Sequence, residues 1–208
     1  MIQDEYFDSA AATDLVWLPS LGMGRCLRHE PAIYDDGYWE KYARMADTPM
    51  GKALTQARVD LVARHYSGPL LDVGIGSGSF VLARPDTFGA DVNPHAVRWL
   101  EERGLLQDPY RDSFRALSAW DVLEHVTQPA ALVARAGEWF FTSMPIYRDA
   151  AHCRASRHYR PGEHLWYWAH DGLIRWFERQ GFECVEHNTA ETDLGREDIG
   201  SYAFRRLE

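Results

Sequence analysis

The sequence predicts a doubly wound α/β fold: a mostly parallel, seven-stranded sheet with helices on both faces, finished by an antiparallel strand pair. Three observations carry this. The run Leu70-Leu71-Asp72-Val73-Gly74-Ile75-Gly76-Ser77-Gly78-Ser79-Phe80 stops an apolar segment at Asp72, sets three glycines at alternate positions and turns apolar again. That order suits a buried strand turning sharply into a helix whose first amides face the turn. Strand-like and helix-like segments then alternate, the signature of a parallel sheet covered on both faces. The last two strand-like runs, 182–186 and 199–204, are separated only by a polar loop, which suits antiparallel neighbours.

The elements follow in order. Within the first fifty residues periodicity is poor, although Tyr34, Tyr38, Trp39 and Tyr42 stand at near-helical spacing. Thr48-Pro49 reads as an N-cap with proline at the first helical position, and Leu54, Ala57, Leu61 and Val62 form one face of the helix that follows. Ser67-Gly68-Pro69 ends it and feeds the strand Leu70 to Val73, and a short helix after the glycines stops at Pro85. Thr87 to Val92 is the second strand, and Asn93-Pro94 opens a helix that Gly104 closes. Leu105-Leu106-Gln107 is expected as the third strand and Phe114 to Ala119 as the fourth. Pro129 opens a helix running toward Gly137, before a fifth strand at Trp139-Phe140-Phe141; Asp171 is expected to cap the last long helix, closed by Gly181. The 208 residues are expected to form one domain: a cap region over 1–48 and a core over 49–208.

Composition narrows the partners. Net charge is -9, so the surface repels polyanions, and long nucleic acid is not expected as a partner. Only Lys41 and Lys52 are lysines; every other basic side chain except histidine is arginine, a planar fork for phosphate or carboxylate. Cys26, Cys153 and Cys184 are odd in number and lack CxxC spacing, which predicts reduced thiols. The start, Met1-Ile2-Gln3-Asp4-Glu5, is acidic where a signal peptide is basic, and no apolar run is long enough to span a bilayer. A cytoplasmic protein is expected, with no membrane partner.

Three motifs together resemble class I S-adenosylmethionine-dependent methyltransferases: the turn Asp72 to Gly78, the acid Asp91 ending the second strand, and Trp120-Asp121-Val122-Leu123-Glu124-His125-Val126. The similarity runs from about Leu54 to Arg205. Tyr38-Trp39-Glu40-Lys41-Tyr42, the Gly-Ile-Gly-Ser-Gly turn and Arg160-Pro161-Gly162-Glu163-His164 are similar to a subgroup common in phage and bacterial genomes. The resemblance implies a Rossmann-like core that binds S-adenosyl-L-methionine beyond the carboxyl ends of the strands. Asp72, Gly74, Gly76 and Gly78 would meet the methionine part, and Asp91 would accept hydrogen bonds from the ribose hydroxyls. Asn93 and Trp120 join this cofactor set, with Asp108 (or else Asp112) near the adenine.

Asp121, His125, His158 and His164 are the residues expected to border the acceptor. In ubiquinone-pathway relatives an acidic-x-x-Glu-His arrangement similar to Asp121-x-x-Glu124-His125 holds a divalent cation. The same wording occurs in many relatives without a known metal, where Glu124 and His125 would be structural, and no metal is expected here. The segment 145–168 should lie over the active-site mouth. Its Arg148, His152, Arg154, Arg157, His158, Arg160 and His164 gather cationic capacity ahead of Trp166, Tyr167 and Trp168. It reads either as a solvated loop or as an anion-recognising wall with an aromatic platform, in which His158 and His164 are candidate bases. The aromatics at Tyr34, Trp39 and Tyr42 either pack in the core or cap the cofactor cleft.

The expected reaction is methyl transfer to the oxygen or nitrogen of a small or nucleotide-like acceptor. Trp120-Asp121-Val122-Leu123 stands where amino-directed DNA methyltransferases carry Asp/Asn-Pro-Pro-Tyr, and Met144-Pro145-Ile146 lacks the Pro-Cys of cytosine C5 enzymes. Two alternatives stay open: a cofactor-binding module without catalysis, and a nicotinamide-linked oxidoreductase. The dinucleotide fingerprint GxGxxG, however, places its third glycine one residue later than Gly74-x-Gly76-x-Gly78 does.

Overall fold

In the structure, a computed structural model, residues 14–28, 30 and 36–207 are described, Asp36 without its side chain. Tyr34 lies outside them. The elements are β1 (Leu15–Leu18), β2 (Met23–Cys26), α1 (Asp36–Asp47), α2 (Pro49–Ala63), β3 (Leu70–Val73), α3 (Ser79–Ala83), β4 (Thr87–Ala90) and α4 (Pro94–Glu101). They continue with β5 (Phe114–Trp120), a 3-10 turn (Leu123–His125), α5 (Pro129–Val133), β6 (Ala136–Pro145), α6 (Ala150–Ala155), β7 (Trp166–Trp168), α7 (His170–Arg179), β8 (Phe182–Asn188), α8 (Ala190–Asp193) and β9 (Ile199–Arg206).

The main sheet has the order β4-β3-β5-β6-β9-β8. Pairs from β4 to β6 are parallel, and β9 is antiparallel to both β6 and β8. From β3 the chain steps outward to β4 and returns to β5 on the other side. The strand order therefore reverses at β3, and in sheets of this kind the ligand crevice lies beyond the carboxyl ends of the strands at that point. Thr48 caps α2, accepting from Gly51 N at 3.0 Å, and Asn93 caps α4, accepting from His95 N at 2.8 Å. Side chains alternate across the central strands. Leu117 and Phe140 pack with Leu132, Leu173 and Phe177 on one face, while Ala116 and Phe141 pack with Leu61, Val62 and Phe80 on the other. Phe177 of α7 stacks on Phe204 of β9 at 3.7 Å between centroids, and each such buried ring contributes about 1.5–3 kcal/mol.

Three sequence expectations need correction, at 105–107, at Asp171 and at 145–168. Leu105–Gln107 is not a strand: it makes a single parallel bridge, Gly89 to Leu106, and the sheet has six strands among the described residues. Gly89 N donates to Leu105 O and Gln107 N to Gly89 O, both at 2.9 Å, but Asp108-Pro109 then turns the chain away before pairing extends. The cap of α7 is Ala169; Asp171 lies inside the first turn, where its charge still complements the helix dipole. The N-terminal region holds a hairpin, since β1 pairs β2, and β2 pairs β7 to complete a separate three-stranded antiparallel sheet. The segment 145–168 is accordingly not one loop but α6 followed by a strand. Its Trp166, Tyr167 and Trp168 are at most 2% exposed, so they form core and not an aromatic platform.

Candidate active site

The glycine turn joins β3 to α3 at the crevice. Gly74, Gly76 and Gly78 all have positive φ, at 75°, 55° and 75°. A Cβ on Gly74 would lie 2.4 Å from Val122 Cγ2, whereas a Cβ on Gly76 would meet nothing within 4 Å. Gly74 is thus glycine for packing, and Gly76 lines open space. Beneath the turn Asp72 is buried and accepts from Ser118 Oγ at 2.6 Å. Burial outweighs that hydrogen bond and pushes its carboxyl up to about 8. Asp91, just past β4, accepts from Gly76 N at 3.3 Å and from Asn93 N at 2.8 Å, which ties the turn to the start of α4. Burial raises its pKa against those amide bonds. Asp72, Asp91 and the three glycines therefore meet at one place, the carboxyl ends of β3 and β4.

The other members of the cofactor set are placed less uniformly. Asn93 is buried and engaged as the cap of α4. Trp120 ends β5 with Phe80 edge-on at 5.3 Å and the Arg58 guanidinium over its ring, while its Nε1 is buried without a partner. Asp108 folds back on its own loop, accepting from Tyr110 N at 2.8 Å and pairing with Arg111, and Asp112 accepts from Asp108 N. Trp39 packs against α4, stacked on His95 at 4.8 Å and tilted on Trp99 at 6.0 Å.

Asp121 follows β5 with φ 56°, a sparsely populated conformation for a residue with a side chain. Arg196 grips both of its oxygens, at 2.8 and 2.9 Å, and Arg58 adds a bond of 3.0 Å. Both guanidiniums also bind Glu191, which is 1% exposed. Burial opposes the Asp121 charge, but Arg196 and Arg58 prevail and hold its carboxyl at about 2. Asp121 is therefore a fixed anion in a four-residue ion network. Sequence reasoning missed its partners. Arg58 had a signal, for it interrupts the Leu54, Leu61 and Val62 face of α2, and a cation on an apolar face requires an anion. Glu191 and Arg196 carried none.

The histidines divide into two places. His125 and His164 meet edge to face at 4.5 Å, beside buried Glu124. His158 is partly exposed in the stretch between α6 and β7, where its Nε2 donates to Glu197 O at 2.8 Å and leaves Nδ1 to accept. Burial lowers the pKa of all three, that of His164 to about 3. The remaining cationic residues form no single wall: Arg154 donates to Leu15 O and Arg160 pairs with Glu163, while Arg148 and His152 line a cavity of about 800 Å³ with His170 and Arg175. None of Gly74, Gly76 or Asp91 lines that cavity, so it is separate from the glycine-turn crevice. Cys26, Cys153 and Cys184 are free, and among the described residues no helix is long and apolar enough to cross a membrane.

A parallel sheet with a glycine turn at its switch point and a closing antiparallel pair defines a Rossmann-like α/β fold of the methyltransferase type. The sequence pattern of the family described as "Methyltransferase domain" matches residues 40–187, and the chain belongs to that family. No curated protein matches it in sequence. Among solved structures it resembles a chain from the complex of the Haloferax volcanii Trm112 methyltransferase activator with a methyltransferase: TM-score 0.60, 14% identity, 85% of this chain and 100% of that one. It also resembles magnesium protoporphyrin IX methyltransferase from Synechocystis PCC 6803 with bound S-adenosylhomocysteine, at 0.58 and 14%, covering 83% and 96%. A third is the N-methyltransferase NodS from Bradyrhizobium japonicum WM9, also with S-adenosylhomocysteine, at 0.55 and 18%, covering 84% and 100%.

Proposed function

We propose that this enzyme transfers the methyl group of S-adenosylmethionine to an oxygen or nitrogen of a small or nucleotide-like acceptor. The observation that carries the reading is the glycine turn at the sheet's reversal point, with open space over Gly76 and Asp91 tied to the turn, in a chain of the methyltransferase family. When bound, S-adenosylmethionine supplies a methyl on a positively charged sulfur, which keeps the bond electrons as the acceptor's lone pair takes the carbon. Asp72, Gly74, Gly76 and Gly78 hold the methionine part, and Asp91 accepts from the ribose hydroxyls. Asn93, Trp120 and Asp108 complete the nucleoside side.

The protein's work is to position the acceptor and exclude water. Asp121, kept ionised by Arg58 and Arg196, takes up no proton near neutral pH and acts by orientation and charge. His125 and His164 border the acceptor as neutral imidazoles. His158 has a free Nδ1 and takes the proton of an acceptor that enters protonated. The test compares thermal stabilisation by S-adenosylmethionine and by NAD, then follows a deuterated methyl into a small-metabolite extract. At a hundredfold excess over Kd the true ligand stabilises by about 2.7 kcal/mol. Stabilisation by NAD alone overturns the reading. Binding of S-adenosylmethionine without turnover to S-adenosylhomocysteine on any acceptor leaves a binding module and not an enzyme.

A further inference from the structure

The cavity of about 800 Å³ is built from three places in the chain. One is the run Ile146-Tyr147-Arg148 leaving β6, with His152 of α6 behind it; the second is Glu197-Asp198, just before β9. The third is the start of α7, seated against the β1–β2 turn by Ala169 N donating to Gly22 O at 2.8 Å. The cavity adjoins the acceptor side of the proposed site. Glu197 O accepts from His158 Nε2 at 2.8 Å, Tyr147 Oη donates to His158 O at 3.2 Å, and Arg196, next to Glu197, holds Asp121.

Three of the charges lining the cavity have no counter-charge. Among the described residues the Arg148 guanidinium and the Glu197 carboxylate make no hydrogen bond or ion pair, and Arg175 makes one bond, 3.4 Å to Leu21 O. The other charged or titratable groups there are engaged. His152 Nδ1 accepts from Arg148 N at 3.2 Å and its Nε2 faces Asp198 at 3.4 Å, while His170 bonds Tyr202 Oη and faces Asp171 at 4.0 Å. Opposite charges on long side chains close on each other when they can reach. Here they line one space and stay apart, and all three are exposed, so a ligand from solvent meets them charged. A purely anionic ligand suits the two arginines but is repelled by Glu197; a purely cationic one meets the reverse. We infer that this cavity binds an amino-acid-like zwitterion with two acidic groups, for Arg148 and Arg175, and one ammonium, for Glu197, as the anchoring end of the methyl acceptor. A guanidinium fork accepts carboxylate and phosphate alike. The volume lies within the roughly 300–1,000 Å³ of small-molecule sites, which leaves room for the remainder of the acceptor beyond its charged end. The anchoring role rests on the methyl-transfer reading; the binding does not.

The test is calorimetric titration of the full chain at low ionic strength, without S-adenosylmethionine or turnover, so that it stands or falls apart from the methyl-transfer reading. The probes are L-glutamate and O-phospho-L-serine, whose ratio tells carboxylate from phosphate as the second acid, with glutarate (no ammonium) and cadaverine (no acid) beside them. One molecule of the better probe per chain is expected, bound about tenfold or more tighter than glutarate or cadaverine. Arg175→Gln and Glu197→Gln each weaken it about tenfold, and binding persists with S-adenosylhomocysteine present. Should a variant fail to fold, the comparison of probes on the parent protein decides. Absence of saturable binding by both amino acids, equal binding of glutarate, undiminished binding in both variants, or displacement by S-adenosylhomocysteine overturns the assignment.

Discussion

Replacing Gly76 with alanine separates folding from ligand binding at the glycine turn. Its φ of 55° costs an alanine roughly 1–2 kcal/mol, since Cβ crowds the following carbonyl. Nothing lies within 4 Å of the added methyl, so no packing penalty follows. For a chain of this size the loss lowers Tm by roughly 2–8 °C. If the space above Gly76 receives the methionine part of the cofactor, the methyl holds ligand and backbone apart. Affinity then falls at least about tenfold, or about 1.4 kcal/mol. Gly74→Ala is the contrast: its Cβ lands 2.4 Å from Val122, and overpacking of about 1–3 kcal/mol adds to the backbone strain. Calorimetric titration with S-adenosylmethionine, beside thermal melts of both variants, reads the two effects separately. A Gly76→Ala protein that binds the cofactor within twofold of the parent refutes the placement.

Three further outcomes follow from the same structure. Asp91→Ala lowers cofactor affinity by about tenfold or more through lost charge-assisted hydrogen bonds, and unchanged calorimetric binding rejects that role. Arg196→Met strands the buried Glu191 carboxylate and half of the Asp121 network, at a cost of about 3 kcal/mol in urea unfolding; a loss below about 1 kcal/mol shows that Arg58 alone suffices. Asp72 has its folded pKa raised from 3.8 to about 8, so the folded state keeps a proton that the unfolded state releases. Its stabilising contribution is complete below about pH 3.8 and disappears as pH rises through 8. Stability of the ligand-free parent should therefore fall relative to Asp72→Asn by up to about 1.4 kcal/mol per pH unit across that window, and parallel pH profiles of the two proteins contradict it.

Local chemistry made much of this molecule legible. Proline, glycine and cap residues act within a turn of where they stand, so Thr48-Pro49, Asn93-Pro94 and the start of β3 were placed from the sequence to within a residue. The convergence of Asp72, Asp91 and the three glycines followed from strand-turn-helix order, because parallel strands bring their carboxyl ends to one edge. Leu105–Gln107 was misjudged because its two leucines meet the strand pattern while the turn at Asp108-Pro109 denies them length.

What the chain alone determined is the fold class, the switch point and the position of the glycine turn, all consequences of short-range backbone preference and apolar periodicity. The tertiary structure alone decided which charges meet. Arg58 is 63 residues from Asp121 and Arg196 is 75. Electrostatic partnership depends on distance through space and on exclusion of water, and neither quantity is encoded in residue spacing.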